Sequence, residues 1–217
     1  YFKKKINNPN VFFDVGAHHG ETVRLFQKKL NIKNFHCFEP SKINFYILKK
    51  KLKNFRNIEF NNFGLGEFEG KVNLNYTKES SSSTINEFNV TSKYLRKKLE
   101  ILNINSLNDY ITQEQIKVRS LDNYISENKI EKIDILKIDT EGYELNVLKG
   151  CKENINKIRY IYFEHHFDDM IKKNYNLSNI HNFLVKNNFK KKLKVKMSFR
   201  KSFEYIYENM EIDYSVN

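Results

Sequence analysis

The sequence contains no tryptophan, two prolines, two cysteines and seven glycines among its 217 residues. Because Cys37 and Cys151 belong to no CxxC or Cys/His cluster, a disulfide framework and a cysteine-based zinc site are excluded. No apolar run approaches the roughly 18 residues that cross a bilayer, and the first six residues lack the apolar core of a signal peptide. These absences predict a cytoplasmic protein without a membrane span, although residue 1 is Tyr, which leaves an upstream signal open.

Arginine is scarce as well. The formal net charge is +12, yet only six of the 38 basic residues are Arg, and they are scattered singly. Recognition of phosphates and bases favours the bidentate fork of Arg. The Lys-rich composition therefore indicates a nucleotide bias of the coding genome more than a nucleic-acid or membrane surface. In the one basic tract, 189–196, lysines alternate with apolar residues. This pattern is typical of a strand whose lysine face is exposed to water.

Hydrophobic residues are nevertheless abundant. They make up 40% of the chain, and aromatic residues 14%, which excludes a disordered chain despite a mean hydropathy of -0.68. A chain of this length buries roughly 70% of the surface that its unfolded form exposes. We predict a single domain over 1–217, with a core at about 10–208 and an insertion or lid at 77–117.

Strands and helices alternate along the chain. Apolar runs and periodicity predict strands at 10–15, 34–39, 57–61, 133–138 and 160–164, and helices at 20–30, 41–52, 121–128, 143–150 and 180–187. A further strand is expected at 71–76, and a charged helical pattern covers 90–115.

The tail has a different pattern. Apolar or aromatic residues occupy every second position at Leu193, Val195, Met197 and Phe199, and again at Phe203, Tyr205 and Tyr207. This alternation is typical of two antiparallel strands. Together with the alternating strands and helices, this predicts an α/β fold with a mostly parallel sheet and one antiparallel edge.

The segment Val11–Gly20 is an apolar strand followed by a loop with glycine at its first and fifth positions, and then a helix. Glycine lets the backbone approach a ligand closely, and the amino end of a helix offers free N–H groups. The spacing is GxxxG rather than GxGxxG, and Glu21 in the first turn would repel a pyrophosphate. A nucleoside with a charged amino-acid tail therefore fits better than a dinucleotide.

Three further segments would complete a binding pocket for such a nucleoside. Glu39 ends the second strand, where it can accept hydrogen bonds from both ribose hydroxyls or only cap the helix that Ser41 begins. Segment 61–66 offers amides and an apolar edge for adenine, although a plain turn would have the same pattern. The serine run 81–84 could contact a carboxylate tail or be only a flexible loop.

Residues 133–150 form an apolar strand that runs directly into acidic residues and an amphipathic helix. Carboxylates at the carboxyl end of a strand are where α/β enzymes do chemistry. We expect Asp139 at the strand tip, Glu141 and Glu144 in the first helical turn, and Gly142 at a backbone turn.

Eight motifs cover most of residues 10–208. They are, in order, FFDVGAHHGET, FHCFEPS, NNFGLGEFEGKVNL, SSSST, VRSLDNYI, IDILKIDTEGYELNVLKG, YIYFEHHF and FEYIYENM. In this order they resemble the FkbM-type family of S-adenosylmethionine-dependent methyltransferases, although the interval between the serine run and VRSLDNYI is long for the family.

The resemblance implies a Rossmann-like class I methyltransferase fold, with a seven-stranded, mostly parallel sheet, an antiparallel C-terminal strand and helices on both faces. It also implies S-adenosyl-L-methionine as the cofactor and transfer of a methyl group to a hydroxyl of a sugar, glycan or similar small-molecule acceptor. The resemblance also implies a role for each matching position. The methionine part would be held by Asp14, Gly16, Ala17, His18 and Gly20, and its tail by Ser82 and Ser83. The ribose would be held by Glu39 beside Pro40, the adenine by Asn62, Phe63, Gly64 and Leu65, and Asp139 would lie nearest the sulfonium.

Methyl transfer from a sulfonium is an in-line displacement that depends mainly on positioning, with a base to take the proton of a hydroxyl. The candidates for this base are Asp139 and Glu141 at a strand tip, and His165 or His166 just after the following strand. Histidine is favoured by its ordinary pKa of about 6.5, although either ring could equally be a packed or solvated histidine.

No metal is expected, but Asp139, Glu141 and Glu164 could gather a Mg²⁺ that lowers the pKa of the hydroxyl. Two other functions stay open: a nucleic-acid methyltransferase that uses the basic surface, and a non-catalytic nucleotide-binding module. Steep salt dependence would mark the first. The acidic residues at the strand tips disfavour a non-catalytic module. The absence of a GxGxxG motif disfavours a dinucleotide-dependent oxidoreductase.

Overall fold

The computed structural model describes residues 1–197 and 201–211. In these residues the strands are β1 (Val11–Val15), β2 (Asn34–Phe38), β3 (Ile58–Asn61), β4 (Gly64–Leu65), β5 (Gly70–Thr77), β6 (Ile111–Arg119), β7 (Ile133–Ile138), β8 (Ile158–His166), β9 (Phe189–Lys196) and β10 (Ser202–Asn209). The α-helices are α1 (Glu21–Leu30), α2 (Lys42–Lys51), α3 (Lys93–Ile101), α4 (Leu107–Tyr110), α5 (Leu121–Glu127), α6 (Glu144–Lys149) and α7 (Leu177–Lys186). None of these helices is both long and apolar enough to cross a membrane.

Seven of the strands form one sheet in the order β3-β2-β1-β7-β8-β10-β9. The first five of these run parallel to one another. Their carboxyl ends meet at one edge, because Val15 is paired with Phe38 on one side and with Ile138 on the other. The chain leaves β1 toward β3 and returns at β7, so the strand order reverses beside β1, which is where α/β folds bind ligands. The predicted mostly parallel α/β fold is confirmed.

Apolar clusters cover both faces of this sheet. Successive side chains of a strand point to opposite faces, so the neighbours Phe12 and Phe13 lie in different clusters. Phe12 packs in the cluster that contains Leu48 of α2, and Phe13 in the one that contains Leu121 of α5. All four side chains are fully buried, so helices on both faces hold the strand ends in place.

The C-terminal strand β10 is antiparallel to both of its neighbours, β8 and β9. The predicted antiparallel C-terminal strand and the predicted antiparallel edge of the sheet are therefore confirmed, with β9 as the outermost strand. The rings of Phe163 and Tyr205 stack at 5.4 Å and favour β10 beside β8, whereas the exposed lysines of β9 suit an edge. The expected strand position at Phe199 lies outside the described residues.

A second, three-stranded sheet has the order β4-β6-β5, with β6 antiparallel to β5. The strand predicted at 71–76 is confirmed as β5, whereas the helical pattern over 90–115 is only partly right. Helices α3 and α4 do form there, each with a serine N-cap, but 111–119 is β6. Ile116 and Val118 alternate toward Leu74 in a small apolar cluster, and charged residues between them conceal this period in the sequence.

Candidate functional site

A cavity of about 440 Å³ opens at the carboxyl ends of β1, β2 and β7. Its walls come from the loops after these strands, from β4, and from the serine-rich segment 80–85. Of the predicted site residues, the cavity is lined by Gly16, Ala17, His18, Glu39, Pro40, Gly64, Leu65, Ser83, Asp139 and Glu141. The predicted residues outside this lining are Asp14, Gly20, Asn62, Phe63, Ser82, Glu164, His165 and His166. The tertiary structure therefore brings together segments that are more than 100 residues apart.

The glycine loop after β1 passes close to the tip of β7. Gly16 has a φ of +78°, and a Cβ at this position would lie 1.9 Å from the backbone oxygen of Asp139. The N–H groups of Gly16 and Ala17 both donate to the carbonyl of Phe38 at the end of β2. Gly20 supports the loop from behind, because its φ is +80° and it packs on the Leu52 side chain rather than facing the cavity. Only glycine fits at these two positions.

The Glu39 carboxylate lies at the end of β2 and is 5% exposed. One of its oxygens accepts the N–H of His18 at 2.8 Å, and the other accepts the N–H of Ser41 at 3.0 Å. Burial raises the pKa of Glu39 to about 8, and these two N–H groups oppose the increase. Each carboxylate oxygen can accept more than one hydrogen bond. Glu39 thus both braces the backbone and retains acceptor capacity at the cavity.

A buried lysine connects two aspartates beneath the cavity. Lys137 Nζ lies 3.3 Å from Asp14 Oδ1 and 3.2 Å from Asp139 Oδ2. Although burial lowers the pKa of Lys137, the two carboxylates outweigh it and raise the pKa above its ordinary value. Asp14 is fully buried, so it contacts the lysine and not the cavity space for which it was predicted. Asp139 is one-third exposed and faces the cavity.

The apolar wall of the cavity differs from the predicted adenine segment. Gly64 and Leu65 line it as expected, together with Phe38. Asn62 instead turns its amide inward and donates to the carbonyls of Glu39 and Pro40, at 2.9 and 3.1 Å. The Phe63 ring is partly buried and packs against the core cluster beside Phe38, with the ring centroids 5.7 Å apart. Both residues shape the wall from behind, because a half-buried amide still needs hydrogen-bond partners and an apolar ring packs best against the core.

The serine-rich segment forms the opposite wall, but Ser82 is turned away from it. Ser80, Ser81 and Ser83 line the cavity. The Ser82 hydroxyl instead accepts a hydrogen bond from Lys98 Nζ at 2.6 Å. Across the cavity, Ser80 Oγ lies 2.6 Å from His18 Nε2, so this contact joins the serine segment to the glycine loop.

The acidic segment after β7 forms a turn before its helix. Glu141 has a φ of +50° and lies ahead of α6, which begins at Glu144, so the prediction that Glu141 is in the first helical turn is wrong. Gly142 has a φ of +95° and makes the expected backbone turn. Thr84 donates its hydroxyl to the Glu141 carbonyl at 2.8 Å, and Asn86 donates to the Gly142 carbonyl at 2.5 Å. These long-range bonds hold Glu141 in the left-handed conformation.

The two glutamates of this turn have different surroundings. Glu144 accepts the N–H of Gly142 at 2.9 Å and the hydroxyls of Thr140 and Tyr175, so it stabilises the turn. Glu141 is buried and lines the cavity. Burial raises the pKa of Glu141, an effect that the nearby His166 opposes.

His165 and His166 are the last two residues of β8, and not the start of the following loop as predicted. The His165 ring is buried against Phe167, and burial lowers its pKa to about 4. Neither ring lines the cavity. The pairing of both residues with β10 extends β8 beyond the predicted end of the strand.

His166 is surrounded by carboxylates. Its ring nitrogens lie 3.5 Å from Glu141, 3.4 Å from Glu164 and 3.5 Å from Asp168. Burial alone would lower the pKa of His166, but the hydrogen bond to Asp168 and the charges of the two glutamates raise it to about 9. At neutral pH this ring is a cation. The ordinary pKa for which histidine was favoured therefore does not apply to either ring.

The carboxylates that were considered for Mg²⁺ contact the side chains of Lys137 and His166. Among residues 1–197 and 201–211, the one group of three potential ligands whose atoms lie within 4.8 Å of one another is His18, His19 and Glu21. Asp139 and Glu164 do not belong to such a group; instead, Lys137 contacts the first and His166 the second.

Lys137 and Ser80 are among the cavity residues that were not identified as site residues from the sequence. Lys137 is the one charged residue of an otherwise apolar segment, Ile135–Ile138, and it lies two positions before Asp139, on the same face of the strand. That isolated charge is the signal that could have identified it. Ser80 has a φ of +61°, and no pattern in the sequence indicates its contact with His18.

Comparisons with known proteins bear on the family and on the fold. The family model described as the methyltransferase FkbM domain matches residues 14–191. An rRNA methylase from Streptococcus thermophilus has a similar structure, with 9% identity, 96% of this chain and 91% of that chain covered, and a TM-score of 0.54. A tRNA methyltransferase from B. subtilis is similar as well, with 12% identity, coverage of 95% and 62%, and a TM-score of 0.50.

At these identities the structural likeness concerns the fold alone, and it confirms the expected Rossmann-like methyltransferase fold. No curated protein matches the chain significantly. The family match covers most of the chain, including the glycine loop, Glu39 and the segment after β7. On this evidence the chain belongs to the FkbM family of methyltransferases.

Proposed function

We propose that the protein is an S-adenosylmethionine-dependent O-methyltransferase that acts on a hydroxyl of a sugar, glycan or similar small molecule. The family assignment supports the transfer of a methyl group. The resemblance of the motifs supports the acceptor class, and the geometry of the cavity supports the proposed site residues.

The residues around the cavity fit this cofactor. Glu39 would bind the ribose, because its oxygens retain acceptor capacity beyond the two backbone N–H groups. Leu65 and Phe38 would contact the adenine through an apolar surface. The glycine loop and Ser83 would bind the amino-acid tail. When bound, the cofactor supplies an electrophilic methyl group on a sulfonium.

The observation that carries the proposal is the position of Asp139. Its carboxylate faces the cavity and receives a hydrogen bond from the buried Lys137 ammonium. This hydrogen bond holds the Asp139 carboxylate in position at the cavity. A positioned carboxylate base can accelerate the methylation of a hydroxyl, since the proton must leave as the new bond forms. Asp139 is therefore the proposed base, and Glu141 is the second candidate.

The acceptor is expected to contact two segments, 77–117 and the loop after β8. Phe88, Leu95 and Tyr110 of the first segment form an apolar cluster with Met170 and Ile171 of the second. A β-bridge between Phe88 and Ile171 also joins them. Because the two segments are packed together, they can form one surface beside Glu141. Loops of this kind vary freely in what they recognise, so their side chains would determine the acceptor.

Binding and transfer assays test the proposal. Calorimetry on the purified chain should detect S-adenosylhomocysteine and not NAD. A panel of glycans, nucleosides and nucleotides incubated with isotopically labelled cofactor should then give a labelled methyl ether, identified by mass spectrometry. Binding of NAD instead of S-adenosylhomocysteine, or label only on nitrogen or carbon, would contradict the proposal.

A nucleic-acid acceptor is the second candidate. The net charge of +12 favours it, and both structural neighbours named above are RNA methyltransferases. Against it, the lysine-rich strand β9 lies at the sheet edge, three strands away from β7. Labelled methyl on RNA, with binding that falls steeply as salt increases, would favour this candidate over the first.

A further inference from the structure

Two adjacent histidines and a glutamate meet at the amino end of α1. His18, His19 and Glu21 each offer a ligand atom, and these atoms lie within 4.8 Å of one another. Neutral imidazole nitrogens and carboxylate oxygens are the donors that Zn²⁺, Ni²⁺ and Cu²⁺ bind in proteins. The combination is therefore suited to a divalent transition metal.

The two imidazoles are oriented by partners outside the group. Their rings stack, with centroids 3.7 Å apart and planes inclined by 22°. His18 Nε2 lies 2.6 Å from Ser80 Oγ, and His19 Nε2 lies 3.3 Å from Asn44 Oδ1. In metal sites, the nitrogen of a histidine that does not bind the metal is usually held by an oxygen in this way. One nitrogen of each ring is thus held from outside the group, and the second nitrogen of His18 contacts Glu21 within it.

The second nitrogen of His18 points to the carboxylate of Glu21. His18 Nδ1 lies 3.5 Å from Glu21 Oε2. The other oxygen of Glu21 faces Arg24 at 3.5 Å and Lys51 at 3.8 Å. These two cations are partly exposed, and exposed ion pairs are weak. Oε2 also accepts the backbone N–H of His19 at 3.2 Å, and a carboxylate oxygen has a second acceptor position. The negative Glu21 also offsets the unfavourable effect of a helix amino end on a bound cation.

We propose that His18, His19 and Glu21 form a binding site for a divalent transition metal of the Zn²⁺ type. Three protein ligands leave at least one coordination position open, as in zinc sites that exchange small ligands. His18 and Glu21 also line the cavity, so the open position would face it. The site lies apart from the carboxylates at the tip of β7 and uses none of them.

Titration of the purified chain with ZnCl₂ in chelator-free buffer, followed by calorimetry, tests this proposal. The wild type should bind one Zn²⁺ per chain, and His19→Gln and Glu21→Gln should each weaken binding about tenfold or more, as the loss of metal-site groups does. His181→Gln is the matched control, because this histidine lies on α7 and contacts Tyr207 instead. It should bind Zn²⁺ like the wild type.

The alternative outcomes are distinct. Absence of Zn²⁺ binding to the wild type, or equal affinity in the wild type and both site variants, would overturn the proposal. Because Glu21 is exposed, Glu21→Gln is expected to fold even if the histidine variant does not. Circular dichroism of each variant checks this.

Discussion

Asp14 and Lys137 are register partners on the adjacent strands β1 and β7, and their side chains form a buried ion pair of 3.3 Å. The lysine side chain is 10% exposed, and the aspartate is fully buried. The same ammonium donates a hydrogen bond to Asp139 at the cavity. One lysine thus connects a carboxylate inside the sheet with a carboxylate that faces the proposed acceptor.

Replacing Lys137 by Met should destabilise the protein by about 3–5 kcal/mol, because it leaves Asp14 buried without a partner. The double variant Asp14→Leu/Lys137→Met should recover most of that loss, since no charge is left buried. Urea denaturation measures both. Turnover of the double variant should stay low, because Asp139 lacks its ammonium. A single variant as stable as the wild type would show that the pair does not stabilise the fold.

Replacing Asp139 by Asn should lower kcat by a factor of about 10² to 10⁴, the usual contribution of a general base. The affinity for S-adenosylhomocysteine should change little, because the backbone of the tip is retained. Initial-rate kinetics and calorimetry separate the two effects. Glu141→Gln serves as the comparison, and if it were the more damaging change, Glu141 would be the base instead.

Replacing Glu39 by Gln should weaken binding of S-adenosylhomocysteine about tenfold or more. Above pH 8, where Glu39 is ionised, a hydrogen bond to this charged group contributes about 1.5–3 kcal/mol, and 1.4 kcal/mol corresponds to tenfold. The amide also cannot accept from both His18 and Ser41 while it binds a ribose. Glu59→Gln, an exposed change on the neighbouring strand, is the control and should bind normally in the same calorimetric titration.

The ion cluster around His166 should make stability depend on pH. Its pKa in the folded protein is raised to about 9 by Asp168, Glu141 and Glu164, against the effect of burial. A raised histidine pKa contributes stability that is complete below the unfolded value of about 6.5 and is lost as the pH rises through 9. The free energy of unfolding should therefore fall over this range, by at most about 1.4 kcal/mol per pH unit.

Urea denaturation between pH 6.5 and 9 measures this slope in the wild type and in His166→Gln. The variant should show a clearly smaller slope. His181→Gln, which changes a histidine of α7, should retain the slope of the wild type. An equal slope in all three proteins would assign the pH dependence to other groups.

Replacing Lys98 by Met should raise the KM for the cofactor about fivefold, which corresponds to roughly 1 kcal/mol of lost hydrogen bonding. Lys98 contacts Glu79 at 2.7 Å and Ser82 at 2.6 Å, so it positions the serine segment that lines the cavity. The value of kcat should change much less, because no reacting group is touched. Lys97→Met, an exposed change on the same helix, should leave KM unaltered. An unaltered KM in Lys98→Met would contradict this role.

The strands that carry the cavity could be predicted, because local sequence patterns are sufficient to identify them. The apolar runs before Gly16, Glu39 and Asp139 predict strands, and parallel strands bring their carboxyl ends to one edge. Prediction was wrong for 111–115, which belong to β6, because the paired residues of β5 are 34 to 48 positions away and the charged residues obscure the alternation. It was also wrong for Glu141, whose left-handed conformation depends on Thr84 and Asn86.

The residues of the candidate site likewise include some that the sequence predicted correctly and some that it did not. Gly16, Glu39, Leu65 and Asp139 were identified because each directly follows, or lies in, a short strand at the cavity. Asp14, Asn62 and Ser82 were expected to face a ligand, but each is directed to another residue: Lys137, the carbonyl of Glu39, and Lys98. Side-chain direction at a strand end depends on which partners the fold supplies, and these come from distant segments.

The sequence by itself determined the fold class, the family and the edge of the sheet that carries the cavity, because periodicity and motif order are local properties. Only the tertiary structure decided which side chains face that cavity, which carboxylates are neutralised by Lys137 and His166, and that two histidines meet Glu21. The physical reason is that burial and charge pairing depend on distances between segments far apart in the chain, and these distances exist only after folding.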